Sequence, residues 1–523
     1  MSISIKSKYV FGLSAFVLLV SGSVLFNGCK SKTATTNSTS DLTLTGDTIH
    51  DGQLLAAKYC TSCHKLVPAE ALTKDVWEYH TLPSMAKFAG ISTYGTGAYF
   101  KRDSSNTGMS ITEWQTLVAY YKKTAPQTEV PQKRPNSLIN DWAGFTLKLP
   151  AGTADIKTAF TTMVAVDPTG HKIYSSDITT EKLYSWDAQL KPSVMAGLES
   201  GAVDMQFVKN ADGKYDGIIS CVGQIQPSDF PNGRVVKVNL TGKAATSDIE
   251  TDLSRPVQTQ AADFNKDGLT DYVICAEGGI RGYLAWMKQN ANHTYTRNVI
   301  KAKEGAVQAV VGDFNNDGWP DVMALYGSGN EGLFMYLNNQ KGGFTEKMLL
   351  QFPPVNGSSS FQLADVNHDG KPDLIYTCGY NFRDSRILKP YHGLYIFTNT
   401  GDWNFKQSYF YPINGCTKAI AADFDGDGDL DIATSAYFAD LRTQPSESFV
   451  YFEQDKAMHF KPHAVPVSKY GRWFSMNVGD FNGDGKPDIV LGNYSKGLSI
   501  NANLNPNQNE QIPLIVLENH TKK

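Results

Sequence analysis

The chain contains few cysteines and has no large excess of positive or negative charge. Only 7 of its 523 residues are Cys, and 48 basic residues stand against 52 acidic ones, a net charge of −4. This balance gives no reason to expect nucleic acid as a partner. Beyond the N-terminus the sequence also lacks any apolar run of membrane-spanning length. The chain is longer than one ordinary hydrophobic core requires, so two or more domains are expected.

The N-terminus has the pattern of a secretory signal. Two lysines precede an apolar run over residues 9–26, and Gly28 stands directly before Cys29. The small residue before this cysteine resembles a bacterial lipobox. The resemblance implies that residues 1–28 are a lipoprotein signal peptide and that Cys29 is lipidated; the alternative is an uncleaved membrane anchor. Both interpretations place the remainder in the bacterial cell envelope, periplasmic or at the cell surface, with the outer membrane expected and the lipid as its only membrane attachment.

Composition divides the rest of the chain. Residues 29–48 are rich in Ser and Thr and indicate a flexible tether. Residues 49–125 have helical periodicity at both ends, and Ser110 or Thr112 could cap the last helix. Prolines then mark a linker over 126–150.

A Cys-x-x-Cys-His motif lies in the helical segment, at Cys60-Thr-Ser-Cys63-His64. Two thiols at this spacing can each add to a haem vinyl group, and the adjacent histidine can ligate the iron. A zinc half-site and a redox dithiol are alternatives. Zinc would need a second matching pair, and a redox dithiol would need a thioredoxin-like βαβ setting; neither pattern is present in residues 49–125. The motif therefore predicts a small all-α cytochrome c domain with Cys60 and Cys63 as thioethers and His64 as proximal ligand.

The distal iron ligand is expected among three residues. The stretch Trp77 to Met85, with Leu82-Pro83 inside it, resembles the W…LPxM stretch of small exported bacterial cytochromes, which implies Met85 as the ligand. Met109, just before the last helix, is the runner-up, and His80 is third. Core packing must account for at least one of the two methionines. Methionine ligation would raise the reduction potential and favour an electron acceptor.

Beyond residue 150, short apolar strands alternate with a repeated loop of the form Asp-x-Asn/Asp-x-Asp-Gly-x-x-Asp. Intact copies begin at Asp263, Asp313, Asp365, Asp423 and Asp480, and each precedes an apolar strand. Two degenerate copies, at 167–170 and 210–216, bring the number of units to seven.

Each intact loop places side-chain oxygens at positions 1, 3, 5 and 9, with glycine at position 6. Oxygen ligands around a tight turn select Ca²⁺ over softer metals. The loops do not match an EF-hand, which needs a glutamate at position 12 and flanking helices; here position 12 is apolar or small and a strand follows directly. Hydrogen-bonded turns without metal are the alternative. The predicted calcium ligands are Asp263, Asn265, Asp267, Asp271, Asp313, Asn315, Asp317, Asp321, Asp365, Asn367, Asp369, Asp373, Asp423, Asp425, Asp427, Asp431, Asp480, Asn482, Asp484 and Asp488.

This loop is similar to the FG-GAP/VCBS repeat of integrin-type β-propellers, over about residues 155–515. The resemblance implies a multidomain protein: the all-α cytochrome c domain followed by an all-β, seven-bladed propeller over 151–517. Each blade would have four antiparallel strands, and the terminal strands would pair to close the ring.

Two further groups of residues in this region have side chains that could serve a function. The first group, expected to be buried free thiols, is Cys221, Cys275, Cys378 and Cys416. The second group consists of aromatic and basic loop residues that could form a binding face: Tyr380, Phe382, Arg383, Arg386, Tyr437, Tyr470, Arg472 and Trp473.

Two functions fit these features. In the first, the haem transfers electrons to or from a redox partner protein while the propeller docks a polysaccharide or protein ligand. In the second, the propeller holds the substrate site of an oxidoreductase and passes electrons to the haem, as in quinoprotein dehydrogenases. The sequence contains no quinone-binding signature, nucleophile motif or His/carboxylate cluster outside the loops, which favours the first function.

Overall fold

The computed structural model describes residues 42–95, 98–101, 108–153, 155–241, 244–382, 387–498 and 508–521. The predicted signal peptide 1–28, the lipidation site Cys29 and most of the tether lie outside these residues. Within them, no helix has the length and apolar character needed to cross a membrane.

The first part of the described chain is mainly helical. Its elements are α1 (Thr48–Tyr59), α2 (Lys74–Val76), α3 (Leu82–Ala86) and α4 (Ile111–Thr124), with 3-10 turns at Cys60–Ser62, Ala69–Ala71 and Lys87–Ala89, a π turn at Trp77–Thr81, and strands β1 (Ile91–Tyr94) and β2 (Ala98–Lys101). Helices α1 and α4 pack against each other.

Capping and close packing fix these two long helices. Asp47 caps α1 by accepting two backbone N–H groups, and Ser110 forms a capping box with Glu113 at the start of α4. A Cβ atom on Gly52 of α1 would overlap the side chain of Tyr120 on α4. Glycine at position 52 therefore sets how closely the helices approach.

This region is not purely helical, which corrects the all-α expectation. Strands β1 and β2 form an antiparallel hairpin in which Ile91 pairs with Lys101. Gly90 adopts a left-handed conformation (φ 72°) and ends the preceding turn. The strand that follows contains the β-branched residues Ile91 and Thr93, which favour extended structure.

The remaining described residues form seven four-stranded antiparallel sheets, the blades of a propeller. Strand β3 (Phe145–Lys148) comes first along the chain. Blades 1 to 3 contain β4 (Thr161–Val166), β5 (Ile173–Asp177), β6 (Lys182–Trp186), β7 (Pro192–Gly197); β8 (Ala202–Lys209), β9 (Tyr215–Cys221), β10 (Gly233–Asn239), β11 (Thr246–Leu253); and β12 (Pro256–Ala262), β13 (Asp271–Ala276), β14 (Tyr283–Gln289), β15 (Tyr295–Lys301). Blades 4 and 5 contain β16 (Ala306–Gly312), β17 (Asp321–Tyr326), β18 (Gly332–Asn338), β19 (Phe344–Gln351); and β20 (Ser358–Ala364), β21 (Asp373–Cys378), β22 (Gly393–Asn399), β23 (Phe405–Pro412). Blades 6 and 7 contain β24 (Lys418–Ala422), β25 (Asp431–Ser435), β26 (Phe449–Lys456), β27 (His459–Ala464); and β28 (Trp473–Gly479), β29 (Asp488–Asn493), β30 (Leu514–Asn519) with β3.

The ring closes by pairing strands from the two ends of the propeller. Strand β3 is the outer strand of blade 7 and pairs antiparallel with β30, Phe145 opposite Asn519. The seven blades and this closure are as predicted. The segment 126–150, expected as a linker, thus includes a propeller strand, and Ile139 in the same segment bridges to His463 on the outer strand of blade 6.

The first strand of each blade is innermost, because these strands contact one another around the ring. The second strand of each of these blades is covered on both faces by the neighbouring blades and is buried along almost its whole length. Leu325 of blade 4, for example, packs in one cluster with Leu374 and Tyr376 of blade 5. Since consecutive strands are antiparallel, every loop between a first and a second strand lies on the same face of the propeller.

Candidate functional site

The Cys-x-x-Cys-His motif lies where α1 ends. Cys60 starts a single 3-10 turn and is half-buried, Cys63 is exposed, and both thiols are free of disulfides. The His64 Nδ1 atom lies 2.8 Å from the carbonyl oxygen of Lys65. Because Nδ1 donates to that carbonyl, Nε2 keeps its lone pair and can bind a metal.

The geometry favours neither alternative chemistry for the motif. Burial, and next the charge of Cys63, raise the pKa of the Cys60 thiol, whereas a disulfide-exchanging dithiol needs a lowered pKa. The ligand atoms of Cys60, Cys63 and His64 do not converge as a zinc site would require. In the described part of the chain, the one group of three or more His, Cys, Asp or Glu side chains close enough to share an ion lies in the propeller.

The three candidate distal ligands differ in burial. Met109 is only 1% exposed and packs in the core of the helical region, whereas Met85, on α3, is 39% exposed. His80 is half-buried in the π turn. Because Met109 already serves as a core side chain, the thioether of Met85 is the more available for iron.

The helical region also exposes several large apolar side chains. Large apolar side chains exposed between residues 79 and 100 are Tyr79, Met85, Phe88, Tyr94 and Phe100. Nearby, Trp77 is fixed by an indole N–H bond of 2.8 Å to the carbonyl of Ala69 and by ring contact with Tyr121. Exposed apolar surface of this kind fits a large flat ligand such as haem.

The five intact acidic loops all join the first and second strands of their blades, in blades 3 to 7. In the loop of blade 3, the position 1 residue Asp263 accepts backbone N–H bonds from Asp267 and Gly268 at 3.2 and 2.9 Å. The glycine at position 6 has φ 81°, which the turn requires. The position 9 residue Asp271 is buried and accepts from the N–H groups of Phe264 and Gln289. The other four loops repeat these bonds.

Carboxylates crowd most closely in the loop of blade 6. One oxygen each from Asp423, Asp425 and Asp427 lies within 4.8 Å of the others. Burial raises the pKa of Asp431 to about 7, and the charge of Asp425 adds to the rise. Burial likewise raises the pKa of Asp488, in blade 7, to about 6. Several oxygen ligands with mutually repelling charges fit a divalent cation such as Ca²⁺.

The two degenerate loops satisfy their carboxylates with groups from the protein. In blade 1, Asp167 accepts from the backbone and hydroxyl of Thr169 and from the hydroxyl of Tyr174 at 3.1 Å. In blade 2, the ammonium of Lys237 lies 3.0 Å from the carboxylate of Asp216.

The remaining predicted residues are placed as follows. The four propeller cysteines are buried and free, as predicted, and burial raises the pKa of Cys221 and Cys378 to about 12. Of the aromatic and basic loop residues predicted to form a binding face, Tyr437, Arg472 and Trp473 are buried, and Tyr380, Phe382 and Tyr470 are half-buried. Arg383 and Arg386 lie outside the described residues. Arg472 is a packing residue, since its guanidinium stacks 4.2 Å from the Tyr437 ring centroid and donates to the carbonyl of Tyr437.

A cavity that no sequence pattern predicts opens on the propeller axis, on the face opposite the acidic loops. It has a volume of about 170 Å³ and is lined by residues from blades 2 to 7. Among these are the buried ion pair Arg255–Glu277 and the rings of Phe438 and Phe474. No local pattern marks this cavity, because each blade contributes only one to three side chains.

Family models match the loop-bearing part of the chain. The FG-GAP-like repeat matches residues 263–324, 313–376 and 387–434, and the FG-GAP repeat matches 419–452 and 473–508. Fold and loops together define a β-propeller of seven four-stranded blades. More particularly, the protein carries FG-GAP repeats between residues 263 and 508.

The similarity to curated proteins covers only a part of this chain and a smaller part of each relative. A T-cell immunomodulatory protein homolog of Plasmodium falciparum is 28% identical over 141 residues, 24% of this chain and 19% of that protein. Integrin alpha pat-2 of Caenorhabditis briggsae is 25% identical over 214 residues, 36% of this chain and 17% of that protein. The chain thus spans less than a fifth of the length of these curated relatives.

Solved structures similar to the chain have low identity. A streptogramin B lyase structure is 11% identical, with a TM-score of 0.45, and the match covers 72% of this chain and 99% of that one. The V. cholerae biofilm matrix protein Bap1 is 9% identical, with a TM-score of 0.41, over 72% of this chain and 91% of that one.

Proposed function

We propose that the protein is an exported bacterial electron-transfer protein, in which one covalent c-type haem in residues 49–125 is joined to a calcium-binding propeller that docks a partner or ligand. The single observation that carries the haem half is the state of His64. Its Nδ1 is fixed by a backbone carbonyl and its Nε2 is available, beside the two unpaired thiols of Cys60 and Cys63.

Each residue of the motif has a role in this proposal. Cys60 and Cys63 form the thioether bonds, His64 is the proximal ligand and Met85 the distal one, with Met109 and His80 as alternatives. When bound, the haem supplies a one-electron redox couple. The exposure of Met85 and Phe88 supports this assignment, because a haem would cover apolar surface that the protein leaves open.

Calcium in the five intact loops is the second part of the proposal. The first-position aspartates, from Asp263 to Asp480, hold the loop backbone through N–H bonds. In the loop of blade 6, one oxygen each from positions 1, 3 and 5 lies within 4.8 Å of the others, which supports a shared cation there. A bound cation would neutralise charges that repel one another in the apo loop. In blade 2 the ammonium of Lys237 performs this neutralisation for Asp216.

Attachment to the envelope and coupling between the two parts complete the proposal. Lipidation of Cys29 would hold the protein to the membrane, periplasmic or at the cell surface. The ammonium of Lys65, next to His64, donates to the carbonyl of Gln351 at 3.0 Å. Gln351 ends the outer strand of blade 4 on the face that holds the axial cavity. A redox partner protein would meet the haem, and a polysaccharide or protein ligand would bind the propeller.

The alternative function, an oxidoreductase with its substrate site in the propeller, receives less support. The residues that line the axial cavity in the described part of the chain include no histidine and no cysteine. The carboxylate of Glu277 is paired with Arg255, so it is not free to act as a base. The cavity is therefore better suited to binding than to catalysis.

The test is the absorption spectrum of protein produced with a working cytochrome c maturation system. We expect the spectrum of a thioether-linked haem in the wild-type protein and its loss in the Cys60→Ala/Cys63→Ala variant. Cys378→Ala, which removes a buried propeller thiol, serves as control and should keep the spectrum. Wild-type protein that matures without haem would overturn the proposal.

A further inference from the structure

The axial cavity on the face opposite the acidic loops has two chemically different sides. Its polar side is formed by Arg255 and Glu277, which are each 8% exposed and bonded to each other. Arg255 also donates twice to the carbonyl of Ile225, at 3.2 and 2.8 Å. Ser359 and Thr417 also line the cavity, and their hydroxyls, which donate to backbone carbonyls at 3.2 and 3.4 Å, keep acceptor lone pairs.

The ion pair makes this polar side electrically neutral. A charged ligand entering the cavity would lose its hydration without meeting an unpaired opposite charge, which is unfavourable. Carboxylate and guanidinium side chains can nevertheless exchange hydrogen bonds with uncharged hydroxyl groups. The polar side therefore selects an uncharged ligand that is rich in hydrogen-bonding groups.

The opposite side is a connected set of aromatic rings. Tyr437 lies edge-to-face with Phe438 at 5.0 Å and with Phe474 at 5.1 Å between ring centroids. Tyr380 meets Phe438 at 5.6 Å and 90°. Phe438 and Phe474 are only half-buried, although both are apolar and line the cavity. Such rings offer apolar surface to the C–H groups of a ligand.

The size of the cavity limits the ligand further. Its volume of about 170 Å³ is below the ~300–1,000 Å³ of sites that enclose a drug-sized ligand. A space of this size is large enough for several water molecules, and so for one small ring. A protein ligand would instead need a far larger contact surface, of ~800 Å² on each partner.

We infer that the axial cavity is a binding site for a single uncharged sugar ring, such as the terminal unit of a neutral glycan. A sugar ring combines hydroxyl groups at its edge with an apolar face of C–H groups, which matches the two sides of the cavity. The inference rests on the proposed function, in which the propeller is the part that binds a ligand. Of the two ligand classes proposed for the propeller, polysaccharide and protein, the cavity favours the polysaccharide.

The test is saturation-transfer NMR and titration calorimetry on the full mature protein. The probes are methyl α-glucopyranoside, methyl β-galactopyranoside and methyl α-mannopyranoside at up to 50 mM, with methyl glucuronide as the charged comparison. We expect at least one neutral glycoside to bind with millimolar affinity and the glucuronide to bind at least tenfold more weakly. No binding by any neutral glycoside, or tighter binding of the glucuronide, would overturn the inference.

Variants locate the binding in the cavity. Phe438→Ala and the near-isosteric Thr417→Val should each weaken binding at least tenfold, whereas Phe230→Ala should leave it unchanged. Phe230 is a suitable control because it is 65% exposed, on a blade 2 loop, and does not line the cavity. Binding that survives both cavity variants would place the site elsewhere. Haem absorbance of the same samples reports on the proposed electron-transfer function separately, so the two ideas can fail independently.

Discussion

The acidic loop of blade 6 gives the sharpest quantitative prediction, for the variant Asp423→Asn. The Asp423 carboxylate accepts N–H bonds from Gly426, Asp427 and Gly428 at 2.7, 3.1 and 3.1 Å. The asparagine side chain keeps one acceptor oxygen, but its NH₂ group faces one of these N–H donors and cannot accept from it. The lost hydrogen bond should lower the free energy of unfolding by about 1 kcal/mol, with or without calcium. The loss of one negative ligand should in addition remove most of the calcium-dependent stability of this loop.

The calcium-dependent part follows from mass action. When the calcium concentration is 100 times the Kd of a site, binding stabilises the folded state by about 2.7 kcal/mol. A site that binds a hundredfold more weakly gives only about 0.4 kcal/mol at the same calcium concentration. Asp423→Asn should thus reduce the stabilisation by calcium by about 2 kcal/mol, or a few degrees in Tm for a domain of this size.

The assay is thermal unfolding of the full mature protein in chelator and in 1 mM calcium. Asp212→Asn, in the degenerate loop of blade 2, is the matched control and should keep the wild-type calcium shift. Asp425→Asn should have an intermediate effect, because asparagine already occupies this position in the other four intact loops. Equal melting temperatures in chelator and calcium for the wild-type protein would refute the calcium assignment and leave the loops as hydrogen-bonded turns.

Three further predictions concern other parts of the chain. Met85→Ala should change the haem spectrum and lower the reduction potential, whereas Met109→Ala should mainly reduce the melting temperature; the reverse would make Met109 the ligand. Gly52→Ala should destabilise the helical region by about 1–3 kcal/mol, seen in denaturant unfolding, because a methyl group would force the two long helices apart; unchanged stability would contradict this packing. Burial raises the pKa of Glu331 to about 7, so the folded state retains a proton that the unfolded state loses above pH ~4.5. The contribution of Glu331 to stability should therefore be greatest below pH 4.5, fall by about 3 kcal/mol by pH 7 and then level off; Glu331→Gln should make the loss of stability between pH 4.5 and 7 smaller by about this amount, and the exposed Glu346→Gln in the same blade should not.

The blades were predictable because their sequence signals are local. Each acidic loop, such as that from Asp263 to Asp271, fixes a turn by bonds within nine residues and is followed by a buried strand. Blade number and strand order follow once this unit is recognised. The capped helix α4 was predictable for the same reason, since its Ser110–Glu113 capping box is contained in four residues.

Long-range features could not be read in this way. Strand β3 has no acidic loop, and only its pairing with β30, some 370 residues away, assigns it to blade 7. Tyr437 and Arg472 have the residue types of a binding face, but they stack on each other and both are buried. The hairpin of β1 and β2 was missed because its four-residue strands lie within a helical segment. The axial cavity depends on six blades meeting at one axis, which no single segment encodes.

The most direct test of the central claim is a tryptic peptide map of the mature protein. Cleavage after Lys58 and Lys65 releases the peptide 59–65, which contains Cys60, Cys63 and His64. We expect this peptide to carry the mass of one haem in protein matured with a cytochrome c assembly system. A peptide found only unmodified, or only with a disulfide between its two cysteines, would contradict it.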